Sequence, residues 1–244
     1  MIRHTGQRRT YQHNLKLAIL LSLTAGFVNA AGLLACAVLT TNVTGHAALL
    51  AIDLEAGNID VAFTILQWLL LFLAGATFSS WYIGWMGKYK RYVYTVPLLI
   101  EFSILCLVAT HGWWEKEIVV SPASIASGLL FAMGMQNALV TVISRAVVRT
   151  THLTGILTDL GIALAETVHR KFKLNKSLKE QLVLRVNIIL FFLAGGIAGA
   201  FFFRLWAYES FFIPSGIIVT ITFYDAFKMR YRQATHRLFS KTAR

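Results

Sequence analysis

Long uninterrupted apolar runs, parted by short polar stretches, set the pattern of this chain. Six stand out: about Leu15–Leu39, Val61–Trp85, Tyr92–Thr110, Ile118–Ser144, Leu182–Trp206 and Phe211–Phe227. Each approaches the ~20 residues that a helix needs to cross a bilayer. The runs are continuous rather than alternating, so spanning helices are predicted and a barrel is not. Two further pieces, Thr40–Ile52 and Thr150–Leu160, have a polar start and are too short for a confident span.

Charge decides between counting those pieces as spans or as breaks. With six spans, one side of the membrane collects the N-terminus, the Lys88/Lys90/Arg91 loop, the stretch from Arg145 to Arg185 and the tail from Lys228. Of the 23 Lys and Arg residues, only Lys116 and Arg204 are then left over. The opposite side holds Asp53, Glu55, Asp60, Glu115, Glu117 and Glu209. Full crossing of both short pieces would move the Lys88–Arg91 loop to the acidic side, against the positive-inside bias. The prediction is an all-α polytopic bundle of six transmembrane helices, both termini cytoplasmic, with two short segments that enter the membrane and return. The basic N-terminus before Leu15 resembles a signal peptide, but the run is long for one and belongs to a repeat.

Composition agrees. The 244 residues are 57% hydrophobic and 14% charged, against roughly a quarter charged in soluble domains, and the mean hydropathy is +0.62. A cytosolic enzyme, a secreted disulfide scaffold and a disordered chain are excluded. Cys36 and Cys106 lie inside apolar runs and read as small core residues. The net charge of +12 points to cytoplasmic loops facing anionic lipid rather than to nucleic acid.

The sequence also repeats itself. Gly26-Phe27-Val28-Asn29-Ala30 matches Gly134-Met135-Gln136-Asn137-Ala138. Thr40-Thr41-Asn42-Val43-Thr44-Gly45 matches Thr150-Thr151-His152-Leu153-Thr154-Gly155, and Phe72-Leu73-Ala74-Gly75 matches Phe192-Leu193-Ala194-Gly195. The matches fall in the same order along the chain. The halves, 1–116 and 117–244, each carry three spans, an odd number, so the second is predicted to sit upside down. This inverted three-plus-three plan is one in which broken helices meet near the midplane.

The duplicated breaks carry the candidate chemistry. Gly45 and Gly155 suit a turn at membrane depth. Thr41, Thr44, Thr151 and Thr154 offer hydroxyls to cap the short helices that follow. The free N–H groups at two such helix starts would favour an anion, a carboxylate or a polar neutral solute. Asn29 and Asn137, at matching places on the preceding spans, either hold the breaks or line a pathway. Asp159 is a candidate for proton or ion coupling, or else pairs with Arg145 or Arg149 and fixes its break. Glu101, alone in an apolar run, pairs across helices, stays protonated or faces water. Gly195 and Gly199 form a small-residue face for helix packing, and the tryptophans near run ends form an interfacial belt. No metal or cofactor is expected: His46 and His152 lack further ligands at tight spacing, and no hydrolase or nucleotide-binding motif is present.

At the Gly26–Ala30 region, Val43-Thr44-Gly45, Gly134–Ala138 and Thr150–Leu160, the chain resembles the YoaK-type family of bacterial membrane proteins, domain of unknown function 1275. The likeness covers about Leu17 to Tyr224. It departs at Asn29, where members often carry an acidic residue, and at His46, where they carry Asn. The resemblance implies a bacterial inner-membrane location and supplies no substrate. The sequence therefore predicts a transporter or channel, not an enzyme, with a central site at the two Thr-Gly breaks. The alternative is a non-transporting assembly or regulatory protein. Expected partners are anionic lipids and a small solute, and the bundle leaves room for a homo-oligomer.

Overall fold

A backbone immersed in hydrocarbon must satisfy its own N–H and C=O groups, and the apolar runs do so as helices. The computed structural model describes residues 11–87, 93–114, 120–144, 148, 152–172 and 175–223. Among them the regular structure is α1 (Tyr11–Cys36), α2 (Val43–Glu55), α3 (Ile59–Met86), α4 (Thr95–Trp114), α5 (Pro122–Ser144), α6 (Leu153–His169), α7 (Lys176–Trp206), a 3-10 turn (Ala207–Phe211) and α8 (212–223). No strand occurs among the described residues.

Five helical stretches are long and apolar enough to cross a membrane: Asn14–Cys36, Ile59–Met86, Thr95–Trp113, Pro122–Ser144 and Lys176–Phe223. The protein is therefore a polytopic helical membrane protein. The last stretch contains the fifth apolar run and the described part of the sixth. It is interrupted at Ala207, whose φ of 44° and ψ of −129° no α-helix accepts. The end of the sixth run, beyond Phe223, lies outside the described residues.

Contacts fix how the helices run. α1 and α7 are parallel: Leu23 meets Gly195, Phe27 meets Gly199, and the Tyr208 hydroxyl, just past α7, reaches Ala35 O at 3.5 Å. At their other ends, burial and the nearby Glu180 carboxylate push the Tyr11 phenol up. α1 and α5 run in opposite senses. Gln136 Nε2 donates to Leu21 O at 3.5 Å, whereas Gly32 lies against Leu129 and Cys36 packs with Ala126 and Leu130. α4 ends where α7 ends, since His111 stacks edge-on with Tyr208 and Trp113 lies against Phe212.

α1 and α5 form the centre of the bundle. In their most apolar windows 61% and 67% of residues are buried, against 17% in α3. Leu17, Leu21, Phe27, Leu98, Leu105, Leu129, Met133 and Phe211 make the common core. The short helix α2 packs antiparallel on α3, with His46 edge-on to Trp68. α3 runs with α5, since Trp68 Nε1 donates to Ala123 O at 3.4 Å and Gly75 meets Phe131 and Met135; α5 opposes α1, so α2 points the same way as α1. The six residues between α1 and α2 must carry the chain back down before α2 rises, and Ala37, in the left-handed region at φ 57°, starts that reversal.

Two helix crossings are close enough to bring backbone onto backbone. A Cβ added to Gly26 would lie 2.0 Å from Phe192 O, and one on Gly195 2.1 Å from Leu23 O. The crossing of α3 and α5 repeats the arrangement: a Cβ on Gly134 would lie 2.1 Å from Phe72 O, and one on Gly75 2.1 Å from Phe131 O. The packing face expected of Gly195 and Gly199 is thus present, with Gly199 against Phe27. Gly26 and Gly134 open the matched pentapeptides, and Gly75 and Gly195 close the matched tetrapeptides. Each close pair joins a helix of one half to a helix of the other.

Candidate functional site

Asn29 sits two turns before the end of α1, and its side chain fixes the first break. Its Oδ1 accepts from the Thr41 N–H at 3.1 Å and from the Thr41 hydroxyl at 2.9 Å. The returning chain is thereby tied to the middle of α1, and α2 starts one residue beyond Asn42. The cap differs from the sequence expectation. Asn42, not a threonine, is the N-cap, with its Oδ1 accepting from Gly45 N at 3.1 Å. The Thr44 hydroxyl donates to the same oxygen at 3.2 Å. A side-chain amide at the N-cap satisfies an N–H that the helix start leaves open, and Asn is among the best residues for it.

Gly45 and Gly155 do not make turns. Both lie in the first turns of their helices, and the positive-φ glycines are Gly57 and Gly87. Gly45 is needed for another reason: a Cβ there would lie 2.3 Å from Asn42 Nδ2 and would displace the cap. At Gly155 nothing stands within 4 Å of an added Cβ.

In the second break Asn137, on α5, holds the residue that corresponds to Asn42. Its Nδ2 lies 3.1 Å from His152 Nε2. His152 is the N-cap of α6 but makes no side-chain cap hydrogen bond. Asn137 is buried and its Oδ1 has no hydrogen-bond partner. Thr151, Arg145 and Arg149 lie outside the described residues.

The two helix starts open on one cavity of about 470 Å³. Its polar wall is Asn29, Thr41, Asn42, Thr44, His152, Thr154 and Gly155, and its apolar wall includes Leu39, Phe72, Leu153 and Phe192. Five of the eight expected binding residues therefore share one space: Asn29, Thr41, Thr44, Thr154 and Gly155. Gly45 and Asn137 stand behind the wall. No Asp, Glu, Lys or Arg is among the described lining residues. The starts of two helices bring partial positive charge to a chamber whose described lining carries no carboxylate.

The residues considered for ion coupling lie elsewhere. Asp159 is on α6, largely exposed, with Oδ2 3.7 Å from Arg185 Nη2 on α7. Its described partner is thus a residue that spacing along the sequence does not suggest. Glu101 is buried in α4, and neither carboxyl oxygen has a hydrogen-bond partner. Neither residue lines the cavity. His46, on the buried face of α2 toward α3, holds Leu39 O through Nε2 at 2.8 Å.

Phe72 and Phe192 are site residues that the sequence offered only as evidence of duplication. They begin the matched Phe-Leu-Ala-Gly segments and face the cavity from α3 and α7. Their carbonyls are the ones pressed against Gly134 and Gly26, so the close helix crossings also set where these two rings stand.

A family model described as a protein of unknown function (DUF1275) matches residues 17–224, which take in both breaks and both close crossings. No curated protein and no solved structure matches the chain.

Proposed function

We propose, for a chain that belongs to the DUF1275 family, a transporter or channel for a small polar or anionic solute in the bacterial inner membrane. The observation that carries this reading is the convergence of two helix starts, one from each half, on a single cavity walled by hydroxyl and amide groups. Non-helical backbone at membrane depth is tolerated when it lines a wet chamber, and a solute there would meet the positive ends of two helix starts.

The architecture we propose around it is six spans in an inverted three-plus-three repeat, both termini cytoplasmic. Its support is the opposite sense of α1 and α5, which carry the same motif, and the exchange of close partners between halves. Cysteine introduced at Gly57, in the α2–α3 turn, is expected to react with an impermeant reagent in intact cells. Cysteine introduced at Lys90 is expected to be protected. The reverse pattern would remove the topology.

Thr154 tests the site. It is exposed on the cavity wall, so Thr154→Val should alter stability by no more than ~0.5 kcal/mol. A solute found by thermal-stabilisation screening of the purified protein should bind this variant at least several-fold more weakly. Thr44→Val should lose both binding and about 1 kcal/mol, because its hydroxyl also supports the Asn42 cap. If both variants bind the solute as the parent does, the central site is refuted. Loss of stability without loss of binding would favour breaks that serve only the fold.

A further inference from the structure

The two breaks are chemically alike except at one place. Where the first has Asn42, the second has His152, the one ionisable side chain among the described residues lining the cavity. The substitution changes two things. Asn42 quenches part of the α2 start by accepting from Gly45 N, whereas His152 leaves the α6 start without a side-chain cap. The supporting asparagines also face their breaks differently. Asn29 presents its oxygen to Thr41. Asn137 presents its nitrogen to His152 Nε2, 3.1 Å away, while its oxygen goes without a partner in a residue only 8% exposed.

In the arrangement that sets Asn137 Nδ2 at 3.1 Å, the amide donates and Nε2 accepts, which a ring without a proton at Nε2 can do. A proton arriving at Nε2 turns that atom into a donor. A half-turn of the Asn137 amide then brings Oδ1 to face it, and the buried oxygen gains the partner it lacks. The pair therefore has a second arrangement, open to the charged ring, in which Nε2–H donates to Oδ1. The charged state places a full positive charge beside the uncapped start of α6.

No other charged side chain is among the described residues of the lining. α5 contributes Asn137, the α1–α2 segment contributes Asn29, Thr41, Asn42 and Thr44, and α3 and α7 contribute Phe72 and Phe192. Asp159 of α6 and Arg185 of α7 face each other away from the lining. Arg145 and Arg149 precede the segment and lie outside the described residues.

We infer that His152 is the proton-carrying group of the cavity, and that a small monoanion enters with the proton it takes up at Nε2. This rests on the proposed transport site and specifies its cargo. The sign follows from linkage. The protonated ring binds the anion more tightly, so the bound anion raises the midpoint of the ring. Affinity is full below that midpoint and is lost as pH rises through it.

The test uses the full chain in lipid nanodiscs with nitrate, a monoanion that does not titrate in this range. Nitrate is expected to bind about tenfold more tightly at pH 5.5 than at pH 7.5. By reciprocity a tenfold change is about one pH unit, and one imidazole signal in the NMR spectrum should show that upward shift at saturating nitrate. His152→Asn copies the first break and is expected to stay folded, to lose that signal, and to bind nitrate equally weakly at both pH values. Asn137→Leu keeps the ring but removes the oxygen, and should lower the midpoint. Persistence of the pH dependence in His152→Asn, or no moving histidine midpoint in the parent chain, overturns the inference. If the parent binds the solute found by screening but shows no such dependence, the transport reading survives and the proton coupling does not. If the parent binds neither nitrate nor any screened solute at either pH, both fall.

Discussion

Alanine at Gly26, Gly75, Gly134 or Gly195 is expected to destabilise the protein by about 3 kcal/mol or more at each position. The added methyl group would stand 2.0–2.1 Å from a backbone oxygen of the facing helix. A side chain in the way can rotate; a carbonyl in mid-helix cannot, so the whole pair must separate. Separation also costs the dispersion contacts that hold membrane helices together, for which lipid offers no hydrophobic substitute. Alanine at Gly84, Gly161 or Gly216, where nothing lies within 4 Å of the new atom, should leave stability unchanged or raise it through better helix propensity. Thermal unfolding of the purified variants in one detergent provides the comparison. If Gly26→Ala and Gly134→Ala melt with Gly84→Ala, the close crossings are not what holds the bundle.

Asn29→Leu is expected to be nearly as damaging, at about 2–3 kcal/mol, for a different reason. It removes an acceptor shared by the Thr41 N–H and hydroxyl and leaves both donors unsatisfied beside an apolar side chain. The segment that returns from the end of α1 would lose its anchor, and α2 its starting point. Asn29→Asp separates this structural role from binding. It keeps an oxygen acceptor for Thr41, so the fold should survive. It also puts negative charge on the cavity wall, which should reduce nitrate binding at least tenfold. Melting curves and titrations on the two variants check the contrast. Equal stability in Asn29→Leu and the parent would mean that the break does not depend on this tether.

What was legible in the sequence was what hydrocarbon forces on a chain. Runs such as Ile118–Ser144 have to be helices, and the structure has Pro122–Ser144 there. The Thr-rich interruptions at Thr40–Gly45 and Thr150–Gly155 read as breaks, and the structure has irregular chain at 37–42 leading into α2 and a new helix, α6, starting at Leu153. The duplication marks Asn29, Thr41, Thr44, Gly45, Asn137, Thr151, Thr154 and Gly155; five of these line the cavity, and Thr151 lies outside the described residues. The hydrogen-bond partners could not be read in this way. Whether Thr41 caps a helix or bonds to Asn29 depends on how far back the chain returns. Gly45 was assigned a turn because glycine permits one, whereas here it makes room for the amide of Asn42. Phe72 and Phe192 belong to otherwise ordinary apolar runs, and only the crossing of the helices turns them toward the cavity. α6 extends to His169, past the expected Leu160, because its later apolar positions were not read as helix.

The exchange of close partners between the halves bears on how the protein is made. Helices enter the bilayer as the ribosome delivers them, N-terminal first, and pack once inserted. α1 is the first of the five long apolar stretches to arrive, yet the helix that covers its Gly26 face, α7, belongs to the last of them. α3 can close on α5 earlier, after a single intervening span. Throughout synthesis the face of α1 must be held open to lipid, or guarded by an insertion factor, and a chain stopped after α6 would expose it permanently. The nascent protein cannot complete one half and then add the other: α1 and α7 close together only after α3, α4 and α5 have been delivered.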